Sequence, residues 1–460
     1  MIKTKIGRDI LYSGLPAIWF KDGYVVYSPY VKKFVRLEEH QIYDIKIGQE
    51  LNRIGFFPKF PEAISYNETK EGKIVVLTIT KKCNLKCAYC FADASPTADN
   101  LMSPYVATNI IEKMSEQDKL IAIHFVGGEP TLNFATIRSV KERADEIDLH
   151  PNYYITTNGT APKQILNWLI DNGFIIKISW DGARSQTRSF ASGLDSAARV
   201  EQTIAHLIKK RCNFCVRMTV TKSNLPYMLE SIQRCAEIGV KFFQVEPMSL
   251  DGRGSNIKYE APDPEEFINF ILKVITAAEN KGFWLINSAL ANLFDPKNYF
   301  CCSLRGQIYH FNPDGTISGC YKAMDKGGNL ADKFIFGNYE VRDTQIKFNI
   351  NAELFHQLIA LSNGNYSSCH HCFLRFVCSG GCPFSNFKLN PEGDDINPWA
   401  CQIRMGILRM GILHIYRRAL KGKGSCLEGS VRFYQYLCSK REALNGSEDV
   451  NNIQTLDICV

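Results

Sequence analysis

The sequence predicts an α/β protein: a parallel sheet preceded by a small α+β segment and followed by a cysteine-rich one. Three observations carry this. Between Ile74 and Pro247, apolar strand-like runs alternate with helical stretches, and parallel strands need such crossovers. The chemically suggestive clusters of this region all fall just after those runs, the end of a strand where α/β proteins build their sites. The 17 cysteines are also uneven, with three in 83–90 and eight between 301 and 401.

The 460 residues are 45% hydrophobic and 22% charged, the balance of a globular protein long enough for two or three domains. The net charge of +7 shows no dense basic run, which points away from nucleic acid and only mildly toward an acidic partner. No apolar stretch reaches the ~18 residues of a membrane span. The start, Met1-Ile2-Lys3-Thr4-Lys5, has no apolar core behind it, so a cytoplasmic protein with no membrane partner is expected. In a reducing compartment clustered cysteines read as metal ligands rather than disulfides.

In chain order, Ala17–Phe20, Tyr24–Tyr27 and Lys33–Leu37 read as short strands, with Asp22-Gly23 as a turn and a helix expected over Glu38–Leu51. The parallel strands are expected at Ile74–Thr80, Ile121–Val126, Tyr153–Thr157, Phe174–Ser179, Phe214–Val220 and Phe242–Val245, with helices such as Tyr105–Ser115 and Ala198–Lys209 between them. The first strand runs into Cys83, Cys87 and Cys90, a CxxxCxxC loop. Three thiolates are one short of a zinc site but suit a 4Fe–4S cluster with an open iron; a zinc knuckle lacking its fourth ligand is the alternative. Gly127-Gly128-Glu129-Pro130 ends the second strand, where a backbone without Cβ can approach a ligand closely. Glu129 either contributes charge or fixes the loop, and Asn158 either caps a turn or touches a ligand. Cys212, Cys215 and Cys235 read as small core residues. After a long helix over Pro264–Lys281 comes the second cysteine region: Cys302, Cys320, Cys369, Cys372, Cys378, Cys382 and Cys401. A helix over Ile403–Arg418 and a polar, acidic tail from Asn445 close the chain.

The cysteine loop with Phe91 directly behind it, followed by Gly127–Pro130 after the next strand, resembles the radical S-adenosylmethionine superfamily. The seven later cysteines resemble its SPASM extension, which binds two auxiliary 4Fe–4S clusters. A zinc ribbon on Cys369, Cys372, Cys378 and Cys382 is the rival reading. The resemblance implies a partial (β/α)6 barrel over 73–250, a helical linker over 251–300, a SPASM domain over 301–405 and a C-terminal helix and tail over 406–460. The segment 1–72 is similar to the peptide-recognition domain at the front of many peptide-modifying radical enzymes. It implies S-adenosylmethionine and three 4Fe–4S clusters as cofactors. Cys83, Cys87 and Cys90 would hold the first cluster, with Gly127, Gly128, Glu129, Pro130, Asn158, Ser179 and Arg188 around S-adenosylmethionine. Cys369, Cys372, Cys378 and Cys401 would hold the outer auxiliary cluster. Cys302, Cys320 and Cys382 would hold the inner one, its fourth position open or filled by Cys301.

The implied chemistry is reductive cleavage of the cofactor, fed by an external one-electron donor, followed by hydrogen abstraction from a substrate carbon. Three functions follow from these parts. The first is maturation of a ribosomally made precursor peptide, with a thioether as the expected bond and a carbon–carbon link as the variant. The second is sulfatase maturation, which would need an aspartate where Tyr321 follows Cys320. The third is a non-catalytic electron carrier, which would have no use for Gly127–Pro130.

Overall fold

A computed structural model describes residues 8–57, 72–184, 187–290, 293, 300–301, 303–328, 330–342, 345–361, 366–389 and 395–421. Cys302 and the expected tail from Asn445 lie outside them. At the front, β1 (Ile10–Tyr12), β2 (Leu15–Phe20), β3 (Gly23–Ser28) and β4 (Lys33–Glu38) form an antiparallel sheet in that order. Gly23 makes the tight β2–β3 turn, where a Cβ would stand 2.5 Å from the Leu37 carbonyl. The helix α1 (Ile45–Arg53) starts later than the expected Glu38. Its start is fixed by the Asp44 carboxylate, which accepts from the Lys46 N–H at 2.8 Å, so the residues before it form turns instead. Leu15, Ala17, Trp19, Tyr24, Val26 and Leu51 make the core of this part.

The expected α/β core follows as strictly alternating elements: β5 (Lys73–Thr80), α2 (Pro104–Gln117), β6 (Leu120–Gly127), α3 (Phe134–Glu146), β7 (Asn152–Thr157), α4 (Lys163–Asp171), β8 (Ile175–Ser179), α5 (Ala197–Lys209), β9 (Phe214–Val220), α6 (Leu225–Glu237) and β10 (Phe242–Pro247). Each strand pairs in parallel with the next. The register sorts the side chains: Ile123, Phe125, Ile155, Ile176, Ile178, Val216 and Val245 alternate with His124, Tyr154, Lys177, Cys215 and Gln244. One face is therefore apolar and the other polar.

The chain continues through α7 (Pro264–Lys281), β11 (Trp284–Ile286), β12 (Ile308–Phe311), β13 (Thr316–Ser318), α8 (Ala331–Phe334), β14 (Ile335–Arg342), β15 (Gln345–Ile350), α9 (Ala352–Leu361), α10 (Arg375–Cys378), α11 (Pro383–Leu389) and α12 (Pro398–Ala419). The strands β12 to β15 were not expected. They extend the parallel sheet: β12 pairs with β5 on the side opposite β6, and β13, β14 and β15 follow antiparallel.

The contacts divide the chain into two units. One holds 1–67, 264–300 and 362–458, and the other 68–263, 301–361 and 459–460. The expected front segment and C-terminal helix therefore share a unit, and the expected cysteine-rich segment 301–405 is divided. Within the first unit, Arg409 of α12 donates to Asp9 at 2.6 Å and to the Trp19 carbonyl at 3.1 Å. Arg418 and His414 of α12 meet Glu279 of α7 at 3.0 and 3.2 Å. Among the described residues, no helix is long and apolar enough to cross a membrane.

Candidate iron–sulfur and cofactor site

Cys83, Cys87 and Cys90 lie on an irregular loop directly after β5. Hydrogen bonds from outside the loop hold its backbone. Cys83 N–H donates to the Ser95 carbonyl at 3.0 Å, Lys86 N–H to Ser189 at 2.8 Å and Ala88 N–H to Thr187 at 3.0 Å. Leu85 N–H and Asn158 Nδ2 point at the Cys83 sulfur, at 3.4 and 3.8 Å. Burial pushes the Cys83 thiol up to about 12, and the nearby Glu129, Cys87 and Cys90 add to the rise. Burial likewise raises Cys87, while Arg188 and Arg253 oppose it. Among the described residues, no three His, Cys, Asp or Glu side chains form a set that could hold a single metal ion. A cube with one thiolate per corner iron has wider spacing than one ion. Three thiols on one strand-end loop, near two guanidinium groups, fit a cluster of that kind.

The glycines allow a close approach of backbone to backbone. Gly127 adopts φ +139°, and a Cβ there would stand 2.1 Å from the Thr80 carbonyl oxygen; at Gly128 a Cβ would stand 2.3 Å from that of Lys82. Gly128 N–H donates to Thr80 and Glu129 N–H to Lys82, each at 2.8 Å. The glycines therefore let this loop lie directly on the stem of the cysteine loop, and those two N–H groups are already engaged. Pro130 is buried and opens a short 3-10 turn to Asn133.

Glu129 is fully buried and fixes the loop. It accepts from Asn158 N–H at 2.6 Å, Thr131 Oγ1 at 2.6 Å, Thr157 Oγ1 at 2.7 Å and Thr131 N–H at 3.1 Å. Burial raises its pKa, and these four bonds work against the rise. Asn158 caps its own turn through Thr160 N–H at 3.0 Å and also donates to Asn84 Oδ1 at 2.8 Å. It therefore ties the end of β7 to the cysteine loop. Ser179 is half-buried at the end of β8.

Arg188 donates from Nη1 to Tyr89 Oη at 3.1 Å, and Tyr89 is bonded to Asp181. Its Nε is buried without a partner, as are Arg217 Nε and Thr78 Oγ1. Unpaired buried donors mark a place where a polar ligand or water is missing. Together with the thiol set, they fit a cluster-bound polar cofactor at this end of the sheet.

In the other unit, Cys369, Cys372 and Cys378 sit on short turns, and the first turn of α12 presents Cys401. This helix begins at Pro398 rather than Ile403 because Asn397 caps it, accepting from Ala400 N–H at 3.1 Å. Burial pushes Cys369 up to about 12, and Cys378, Cys372 and Cys401 add to it. Cys401 is pushed up to about 11 by burial, then by Cys378 and Cys372. Cys401 therefore lies near enough to Cys369, Cys372 and Cys378 to act on their thiols electrostatically. His370 and His371 are exposed. Cys301 and Cys320 belong to the barrel's unit and Cys382 to the other.

A profile of the Radical SAM superfamily matches residues 77–251, from the middle of β5 to the loop after β10. This span is a radical SAM domain. The chain is 23% identical over 334 residues to a cysteine-type anaerobic sulfatase-maturating enzyme of Clostridium perfringens, covering 67% of this chain and 88% of that one. Its fold is similar to native anSMEcpe with bound AdoMet and Cp18Cys peptide, with TM-score 0.60 and 19% identity, over 75% of this chain and 98% of that one. It is also similar to Streptococcus suis SuiB bound to precursor peptide SuiA, with TM-score 0.54 and 14% identity, over 86% of this chain and all of that one (100%). The cysteine-rich C-terminal part of this chain is consistent with a SPASM domain. Sequence reasoning missed Asp181 and Arg253 as supports of its first cysteine loop, because neither belongs to a spaced motif.

Proposed function

We propose that this chain is a peptide maturase that modifies a ribosomally synthesised precursor and closes a thioether cross-link in it. The observation that carries the enzyme reading is the cysteine loop, braced by Gly127–Glu129 and Asn158 at the C-terminal end of a parallel sheet. When bound, a 4Fe–4S cluster and S-adenosylmethionine supply reductive bond cleavage and hydrogen abstraction. Cys83, Cys87 and Cys90 would hold the first cluster; Gly127–Pro130, Asn158, Ser179 and Arg188 would surround the cofactor. Cys369, Cys372, Cys378 and Cys401 would hold the second cluster, and Cys302, Cys320 and Cys382 the third. Electrons would come from an external one-electron donor.

The relatives support a peptide or protein substrate: one is a sulfatase-maturating enzyme, and two solved neighbours carry bound peptides. The front sheet is the proposed leader-binding element. Its β3 is paired on both sides, whereas β4, like β1, lies at an edge of the sheet where a strand could add. The thioether follows from the three-cysteine inner set, whose open iron would take a soft sulfur from substrate. Sulfatase maturation itself is the second reading. Against it, Tyr321 stands where an aspartate base would be, edge-on to Phe91 with ring centroids 5.2 Å apart.

The deciding experiment incubates anaerobically reconstituted protein, a reductant and S-adenosylmethionine with a Cys-containing precursor peptide. The expected result is 5′-deoxyadenosine together with a peptide lighter by two hydrogens and short of one free thiol. Absence of 5′-deoxyadenosine overturns the enzyme reading. A cross-linked product that keeps every thiol overturns the thioether. Loss of the inner cluster in Cys301→Ala overturns the open iron.

A further inference from the structure

The Asp251–Gly254 loop after β10 plays no part in these assignments, yet it grips the Cys83–Cys90 loop. Arg253 N–H donates to the Cys90 carbonyl at 3.0 Å. Its Nε donates to the Cys87 carbonyl at 2.9 Å, and its Nη1 to the Ala94 carbonyl at 3.0 Å and Asp93 Oδ1 at 2.7 Å. One residue thereby holds three main-chain carbonyls of an irregular segment, two of them by charge-assisted bonds from its guanidinium. Gly252 permits the approach. It adopts φ +53°, and a Cβ there would stand 2.3 Å from the Phe91 carbonyl oxygen and 2.5 Å from that of Cys90.

The same loop is tied to the segment that follows Cys320. Lys322 pairs with Asp251, their side chains only 11% and 7% exposed, and Lys322 Nζ donates to Ser249 Oγ at 2.8 Å. On the other flank Lys81, two residues before Cys83, pairs with Asp325. Between these pairs Tyr321 stands at 88° to the ring of Phe91. Three ties thus join the first cysteine loop and its grip to residues 320–325.

We propose that Asp251–Gly254 is a clamp that sets the position of the first cysteine loop, with Arg253 its positioning residue, and that the segment after Cys320 holds the clamp closed. The proposal rests on the reading of that loop as a cluster site. Two consequences follow. Order in the Cys320 segment reaches the Cys83–Cys90 loop without any contact between the cysteines themselves. The Arg253 guanidinium, bonded to the Cys87 carbonyl at 2.9 Å, also favours an added electron on a cluster held there, because nearby charge and hydrogen bonding set cluster potentials.

The test uses the full chain, metal-free and reconstituted, as wild type, Arg253→Met, Arg253→Lys and Lys322→Met. In the metal-free chain, Arg253→Met should speed amide exchange in residues 87–94 about tenfold while leaving β6 to β9 unchanged. Lys322→Met should produce the same localised change, to a smaller extent. In the reconstituted chain, the cofactor-perturbed electron paramagnetic resonance signal isolates the first cluster. Its midpoint potential should fall in Arg253→Met and hold in Arg253→Lys, which keeps the charge but loses the guanidinium's hold on the Cys87 and Ala94 carbonyls. Unchanged exchange in 87–94, or equal acceleration through the β-strands, overturns the clamp. A localised exchange effect in a chain that shows no cofactor-perturbed signal overturns the cluster reading and leaves the clamp standing.

Discussion

The two gathered sets of cysteines use one side-chain chemistry on two kinds of support. Cys83–Cys90 hangs from β5, a strand buried along all eight residues. It is braced by Glu129, Asn158 and Arg253, none of which would be a ligand. Cys369–Cys401 hangs from short turns in which the cysteines cap one another: Cys372 N–H donates to the Cys369 carbonyl at 3.1 Å, and Gly381 N–H to that of Cys378 at 3.2 Å. The first loop keeps its shape through the sheet and its neighbours. The second is held by local bonds among its turns, such as Asn386 Nδ2 to the Gly380 carbonyl at 3.1 Å, and would gain most from a bound metal.

Substitution should separate the two sets most sharply. Cys83, Cys87 and Cys90 changed together to Ala should lower iron from about twelve to about eight per chain and abolish cofactor cleavage. Changing Cys369, Cys372, Cys378 and Cys401 together should also remove about four irons while sparing uncoupled cleavage. Iron near four in the intact protein would contradict both. Chelation sharpens the contrast further: metal-free protein should lose exchange protection in 366–381 and keep it in 83–95. Similar protection in both would erase the difference in support.

The brace itself is tested by Glu129→Gln, which turns an acceptor of four hydrogen bonds into a group with a donor facing donors. The expected loss is about 3 kcal/mol of stability in denaturant unfolding of the metal-free chain. Acid acts on a different part of the fold. Burial holds the His310 imidazole down to about 3, and burial also lowers His124. Both are neutral when folded and protonate when unfolded. For His310 the contribution is complete above about pH 6.5 and is lost as pH falls toward 3, roughly 1.4 kcal/mol per pH unit; His124 acts in the same direction. His310→Gln should flatten the acid limb, and an unchanged limb would remove His310 from the account.

The cysteine spacings, the strand-to-helix alternation and the position of each cluster after its strand were legible because they repeat or pack at fixed periods. The strands β12 and β13 were not. They have four and three residues, and they bury His310, Asn312, Thr316 and Ser318, so no apolar run announces them. The helix expected from Glu38 failed for a local reason: its apolar periodicity reaches back past Asp44, but the Asp44 cap stops it. The glycines were read as places of close approach, and in the fold the backbone they approach is that of Thr80 and Lys82. Spacing shows that a Cβ is absent, not which backbone fills the space. Arg253 shows the same limit, since a single arginine after a strand carries no pattern.

The pairing of β12 with β5 also bears on how the chain is made. Ile74 meets Ile308, so one border of the strand that carries the first cysteines stays unpaired until most of the polypeptide has left the ribosome. Contacts so remote in sequence slow folding, and an exposed apolar strand border invites association with other chains. Maturation of the first cysteine loop is thereby tied to late synthesis: the strand beneath it is completed only when the segment leading to Cys320 arrives.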